Sequence, residues 1–262
     1  MTKIEWTHRK GTTGVTWNPV SGCSKISEGC AHCYAERMSK RLGGRFGYPE
    51  DEPFRVTLHP ERLMEPRYWV KPRTVFVCSM GDLFHDAVPG TFIHRVWMQM
   101  ALCHDHTFLV LTKRPERMAQ IVPALNGYEH GTPGNIWLGV TAENQQRADE
   151  RIPLLLQCPA AVRFVSVEPM LGAVDFHVPS VPDGSGAWRN ALTVDDPYTK
   201  ERHLDWIICG GETGPGARTM DPALARSVRD QCKAAGIPFF FKKMSNKAPI
   251  PDDLMIREWP QG

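Results

Sequence analysis

The sequence has no apolar run approaching the roughly 18 residues that a membrane span requires, so no span is expected. Its start, MTKIEWTHRKGTTG, lacks the apolar core of a secretory signal. Cysteine is sparse: eight in 262 residues, too few and too scattered for a disulfide scaffold. Both features point to the cytoplasm, where thiols stay reduced. Charge of one sign is not in excess either. The net charge of +2 neither demands nor excludes nucleic acid as a partner. Repeats and low-complexity segments are absent. The chain is 42% hydrophobic, enough for a sizeable core, and its length is ordinary for one α/β barrel domain over 1–262.

The recurring feature is a short apolar, β-branched run that ends in polar or glycine-rich residues and leads into a helical stretch. Such runs are VTWNPV (15–20), RVTLH (55–59), TVFVCS (74–79), TFLVLT (107–112), IWLGVT (136–141), VRFVSV (162–167), WIICGG (206–211) and PFFFKK (238–243). Helices are expected between most of them, at 91–103, 115–125, 145–157 and 222–235. Continuous apolar strands with helical crossovers predict an α/β fold, a parallel (β/α) barrel, complete or partial and TIM-like. Functional residues then gather where strands end. Those positions carry Ser79, Asp82, Thr112, Lys113, Arg114, Thr141, Glu143, Ser166, Glu168, Gly210, Gly211, Glu212, Lys242 and Lys243. Residues 1–14 read as an N-terminal extension. Residues 172–204, rich in Pro, Gly, Ser and charge, read as an inserted loop between strands six and seven over the active face. A lid and a surface loop are equally compatible with that composition.

The stretch TWNPVSGCSKISEGCAHCYAER (16–37) organises the rest. It holds Cys23, Cys30 and Cys33 in a C-x6-C-x2-C spacing. A helix beginning after Gly29 would place Cys30 and Cys33 on one face of its first turn, with Cys23 supplied from the preceding loop. Three thiolates there make a metal site. Closed zinc sites and electron-transfer clusters usually take four ligands, so three on a four-iron cluster leave one iron open. The bland alternative is a structural zinc completed by His32, His8 or a more distant histidine. Cys103, Cys158 and Cys232 read as small apolar residues beside helices. Cys78 and Cys209, near strand ends, read as core residues.

A three-cysteine loop after the first strand of a barrel resembles the radical S-adenosylmethionine superfamily. More closely, the same loop together with LTKRPER, SVEPM, GGETGPGAR and PFFFKK resembles a phage-associated three-cysteine family of radical-SAM-like proteins. The superfamily resemblance implies a [4Fe-4S] cluster on Cys23, Cys30 and Cys33, with S-adenosylmethionine on the open iron. It also implies an electron donor such as flavodoxin or ferredoxin. Reductive cleavage would give methionine and a 5′-deoxyadenosyl radical that takes hydrogen from substrate. The usual superfamily spacing is C-x3-C-x2-C, and its GGE follows the second strand. Here the only GGE, Gly210 to Glu212, lies on the seventh predicted strand. Cofactor contacts outside the loop therefore follow from the cofactor's chemistry. His32 and Tyr34 are candidates to stack on adenine. Glu143, Glu168 and Glu212 are candidates for the ammonium or ribose. Lys113 and Arg114 suit the carboxylate, and Ser79, Asp82, Thr112, Thr141 and Ser166 the ribose side. Basic clusters (Arg37, Lys40, Arg41, Arg45 and Lys242, Lys243, Lys247), with Trp17 and Tyr34 for stacking, direct the substrate expectation to a nucleobase or nucleotide in DNA or RNA modification or repair. The competing expectation is a non-catalytic zinc- or cluster-stabilised nucleic-acid-binding or adaptor protein.

Overall fold

The computed structural model describes residues 2, 4–125, 133–180, 187–193 and 202–260. In chain order its strands and helices are β1 (Thr13–Trp17), β2 (Val20–Ser21), α1 (Tyr34–Leu42), β3 (Thr57–Leu58), β4 (Arg73–Val77), α2 (Gly90–Leu102), β5 (Thr107–Thr112) and α3 (Pro115–Leu125). There follow β6 (Ile136–Thr141), α4 (Gln145–Gln157), β7 (Val162–Val167), β8 (His177–Pro179), β9 (Trp188–Asn190), β10 (Trp206–Gly210), α5 (Pro222–Ala235) and β11 (Phe239–Lys243). The protein is mixed α/β, with one seven-stranded sheet in the order β1-β4-β5-β6-β7-β10-β11. Sheet neighbours follow chain order, the winding expected when each parallel crossover is right-handed, and compatible with a partial TIM-like fold.

The chain divides into two compact units, one of Met1–Leu138 with Pro159–Ala161, the other of Gly139–Cys158 with Val162–Gly262. In the first, β4 pairs in parallel with β1 and with β5. The N-terminal segment is no loose extension. Trp6 is buried against Phe76 of β4, ring centroids 4.8 Å apart, and β1 already begins at Thr13. In the second, β10 pairs in parallel with β7 and β11. Every residue of β6, β7 and β10 is buried, which is why those runs read as continuously apolar.

Two expected strands need correction. VTWNPV is cut in two because Pro19 has no N–H to give a ladder, and Asn18 turns its side chain to accept from Met80 N (2.9 Å) and Ser79 Oγ (3.2 Å). RVTLH never joins the large sheet. Only Thr57 and Leu58 are extended, and they pair antiparallel with β2. The large sheet therefore has seven strands rather than eight.

The later helices match expectation because their ends are specified locally. The Asn144 side chain accepts from Arg147 N at 3.0 Å and starts α4. Asp221 does the same for α5 through Ala223 N at 2.8 Å, and Gly236, at φ +70°, closes it. The described part of the 172–204 insertion is tied to α4 and α5. β8 and β9 pair antiparallel, with Phe176, Val178 and Ala191 buried. Gln231 of α5 donates to Val174 O (2.9 Å) and accepts from Phe176 N (3.0 Å). Gln145 of α4 brackets Asp175 in the same way. The rest of the expected lid, 181–186 and 194–201, lies outside the described residues.

Candidate metal centre

The cysteine loop leaves β2 through Gly22, whose φ of +81° and lack of a side chain are both required. A Cβ there would meet Arg55 O at 2.2 Å, and one on Gly81 would meet Gly22 O at 2.9 Å. The two glycines form an isolated parallel bridge, Gly22 N donates to Met80 O (2.9 Å), and Cys23 N donates to Phe54 O (3.1 Å). The loop is thus clamped on both sides at its first cysteine. From there it runs to a single 3-10 turn, Glu28–Cys30. The expected helix over Cys30 does not form. Cys33, with ψ +123°, is the N-cap of α1, so Cys30 and Cys33 do not share its first turn. Cys23, Cys30 and Cys33 are all unbridged and part-exposed.

Arg114 is the organising cation. It is 6% exposed, two residues past the end of β5. Its guanidinium donates to Cys23 Sγ (3.3 Å), Ser24 O (3.2 Å) and Ser24 Oγ (2.9 Å). Asp82 holds it there from behind. That carboxylate accepts from Thr112 Oγ1 (2.8 and 2.9 Å), Phe84 N (3.0 Å) and Lys113 N (3.2 Å), and lies 3.5 Å from Arg114. Thr112 Oγ1 in turn accepts from Arg114 N at 2.9 Å. Asp82 and Thr112, expected on the ribose side, therefore face inward and orient Arg114.

The three thiols are not electrostatically alike. Burial and the Asp82 carboxylate push the Cys23 thiol up to about 11, against the pull of Arg114. Burial also opposes ionisation of Cys30, but the Lys113 ammonium and hydrogen bonds around Ser27 bring it below its ordinary value.

Ser24 and His85 join this network, and no local sequence signal marks them. His85 Nε2 lies 2.8 Å from Ser24 Oγ. Its Nδ1 accepts from Ala87 N (3.1 Å), so the proton sits on Nε2 and the imidazole donates to Ser24. Burial, then Arg114, lowers the His85 pKa. Ser24 is thereby held rather than activated. A second pair, Ser21 Oγ and His59 Nε2 at 2.7 Å with Glu61 behind at 3.2 Å, has the spacing of a hydrolytic relay, but Ser21 is fully buried and beyond reach of a substrate.

The donor set suits an iron–sulfur cluster: three thiols on one loop beside two cations. The thiols are not drawn together, however. Among the described residues no three His, Cys, Asp or Glu side chains are grouped to hold a metal ion.

His32 is half-buried and Tyr34 is 62% exposed, both beside Cys33. Trp17, expected to stack a base, is instead fully buried in the core, its Nε1 donating to Arg62 O (2.8 Å). Cys78 and Cys209 are buried, with Cys209 against Met170 Sδ at 3.6 Å. Cys158 and Cys232 are buried too, whereas Cys103 is part-exposed.

The remaining candidates lie in the second unit. Glu143 is fully buried and paired with Arg151 at 2.8 Å; Thr141, at the end of β6, and Ser166, near the end of β7, are buried too. Glu212 accepts from the Arg218 guanidinium at 2.7 and 3.0 Å and from Arg218 N at 2.9 Å, folding GGETGPGAR back on itself. A Cβ on Gly211 would meet Ser245 N at 2.4 Å, and on Gly210 would lie 3.5 Å from the Glu168 carboxyl carbon. The start of α5, which follows this loop, is capped by Asp221.

Glu168 receives Lys242 Nζ at 2.9 Å and Lys243 Nζ at 3.0 Å, so the basic cluster expected of those lysines is neutralised in part. Burial raises the Glu168 pKa, but the two ammonium groups outweigh it and hold the carboxyl down to about 2. Its contribution to stability is complete above the ordinary value near 4.5 and is lost as pH falls toward 2. Glu168→Gln is expected to cost about 3 kcal/mol at pH 7 and much less near pH 2. Urea denaturation at the two pH values checks this, and an equal loss at both would contradict it.

No curated protein and no solved structure matches the chain. The model of the family described as Protein of unknown function (DUF5131) matches residues 1–252, and the chain belongs to that family.

Proposed function

We propose that the chain is a radical S-adenosylmethionine enzyme on a partial (β/α) barrel, with Cys23, Cys30 and Cys33 as the ligands of a [4Fe-4S] cluster. The observation that carries this reading is the buried guanidinium of Arg114, aimed at Cys23 Sγ and Ser24 and held by Asp82 and Thr112. The guanidinium opposes the burial and the Asp82 carboxylate that raise the Cys23 thiol, and it would offset negative charge on a loop carrying several thiolates. When bound, the cluster would supply the electron that cleaves S-adenosylmethionine to methionine and a 5′-deoxyadenosyl radical.

The chain's own residues have simpler tasks. Gly22 and Gly81 fix where the loop begins, and Arg114 with His85 fixes Ser24. Lys113, whose charge acts on Cys30, is the cation suited to the cofactor's carboxylate. His32, beside Cys33, suits the adenine. The substrate class is a nucleobase or nucleotide, and the electron donor a small redox protein of the flavodoxin or ferredoxin kind.

Anaerobic reconstitution with iron and sulfide tests the reading. About four irons per chain and 5′-deoxyadenosine formed from S-adenosylmethionine and dithionite are expected. One tightly held zinc without turnover would select a zinc-stabilised binding protein instead.

A further inference from the structure

We propose that the outer face of α1 and the turn after it bind single-stranded nucleic acid, stacking bases on Tyr34 and Phe46 and holding phosphates with Arg37, Lys40, Arg41 and Arg45. This deepens the nucleotide reading of the substrate and rests on it, but the binding itself needs no iron.

Ala35 and Ser39 are buried and set the inner face of α1. Positions 34, 37 and 41 then recur on the opposite side at spacings of three and four, with Lys40 beside them. Nine helical residues span about 13 Å, so the two aromatics stand at opposite ends of a short basic stripe. Tyr34 is 62% exposed and Phe46 72%.

Phe46 is the informative residue. Its φ is +53°, a region bulky side chains avoid, and it gains almost no burial in return. The turn is fastened around it: Arg62 Nη2 donates to Phe46 O and Arg45 Nη2 to Arg41 O, both at 2.5 Å. An exposed ring in a costly conformation, its carbonyl fixed by Arg62, is poorly explained by folding. It is well explained as a stacking platform flanked by cations.

The acidic groups nearby limit the stripe without erasing it. Glu36 lies within the helix and is bracketed by Lys25 (3.1 Å) and Lys40 (3.2 Å). Glu50 approaches Gly44, its carbons 3.7 Å from where a Cβ would lie, and marks the far edge. Asp51 is paired with Arg55 at 3.1 Å. An extended strand suits the face better than a duplex, because stacking needs unpaired bases.

The test is fluorescence anisotropy of a labelled single strand of about 16 nucleotides with the full-length chain, over a salt series. The wild type should bind with log Kd rising against log salt at a slope of about 3, falling to about 1–2 in the double variant R37E/R41E. Tyr34→Ala should weaken binding about tenfold. Phe46→Gly should do likewise while leaving the thermal melt unchanged or raised, because glycine relieves the positive φ. That pairing excludes misfolding as the cause. No binding by the wild type, wild-type affinity in R37E/R41E, or equal affinity for a duplex of the same sequence would overturn the proposal. Cys30→Ala should bind the strand as tightly as wild type, so failure of the strand assay and failure of the cluster assay are distinguishable.

Discussion

Cys30→Ala is expected to abolish iron loading and 5′-deoxyadenosine formation while leaving the fold intact. Cys30 closes a 3-10 turn on a loop that the glycine crossing fastens only at its start, and its thiol is part-exposed and unbridged. Truncating such a side chain removes little packing, so the change in stability should stay within about 1 kcal/mol. Two thiols cannot hold a cluster that needs three, so the functional loss should be complete rather than partial. Cys103→Ala, at the end of α2 and part-exposed like Cys30, should load iron and turn over as wild type. Iron and sulfide analysis, product chromatography and a thermal melt on all three proteins give the answer. A Cys30→Ala protein that still carries four irons and cleaves the cofactor would remove Cys30 from the ligand set.

Gly22→Ala should have the largest effect on folding. The added methyl would sit 2.2 Å from Arg55 O and 2.6 Å from Phe54 O, both backbone atoms that cannot swing aside, at a φ of +81° that disfavours alanine. Overpacking against backbone costs about 1–3 kcal/mol and the left-handed conformation about 1–2 more. The sum, about 2–5 kcal/mol, corresponds to a fall in Tm of roughly 10 °C for a chain this size. Gly11→Ala separates the two causes, since Gly11 has φ +83° but nothing within 4 Å of the added methyl. It should lose only the conformational part, about 1–2 kcal/mol. If Gly22→Ala melts no lower than Gly11→Ala, the clamp at the base of the cysteine loop does not exist as described.

Both tests depend on long-range contacts, and that is where the sequence was least legible. The buried strands were plain from composition, because β6, β7 and β10 are buried throughout and their apolar runs show it directly. Helices α3, α4 and α5 were equally plain, with Asn144, Asp221 and Gly236 marking ends of the latter two. RVTLH misled because period and composition do not say where a strand's partners lie. The carbonyl of Phe54 takes the Cys23 N–H, and His59 N goes to Pro19 O at 2.8 Å, which ties this segment to the cysteine loop instead of to the sheet. The spacing of Cys30 and Cys33 permits one helical face, yet Cys33 keeps an extended ψ and α1 starts one residue later.

The candidate site divides in the same way. Its cysteines and Arg114 carry a local signal: a dense loop and a strand end. Ser24 and His85 meet across 61 residues, and Asp82 reaches Thr112 across 30, so nothing near them in the chain announces the contact. Trp17 looked like a rim aromatic because it sits at the end of a strand, but which side of β1 it faces depends on the whole sheet. Glu143 and Glu212 carry no local sign that Arg151 and Arg218 occupy them.

The electron paramagnetic resonance spectrum of the reconstituted, dithionite-reduced wild-type chain, recorded before and after S-adenosylmethionine is added, tests the central claim most directly. A protein with one iron left open by its three cysteines should give a reduced four-iron signal that shifts when the cofactor binds. A signal indifferent to the cofactor, or none at all from anaerobically prepared material, would contradict it.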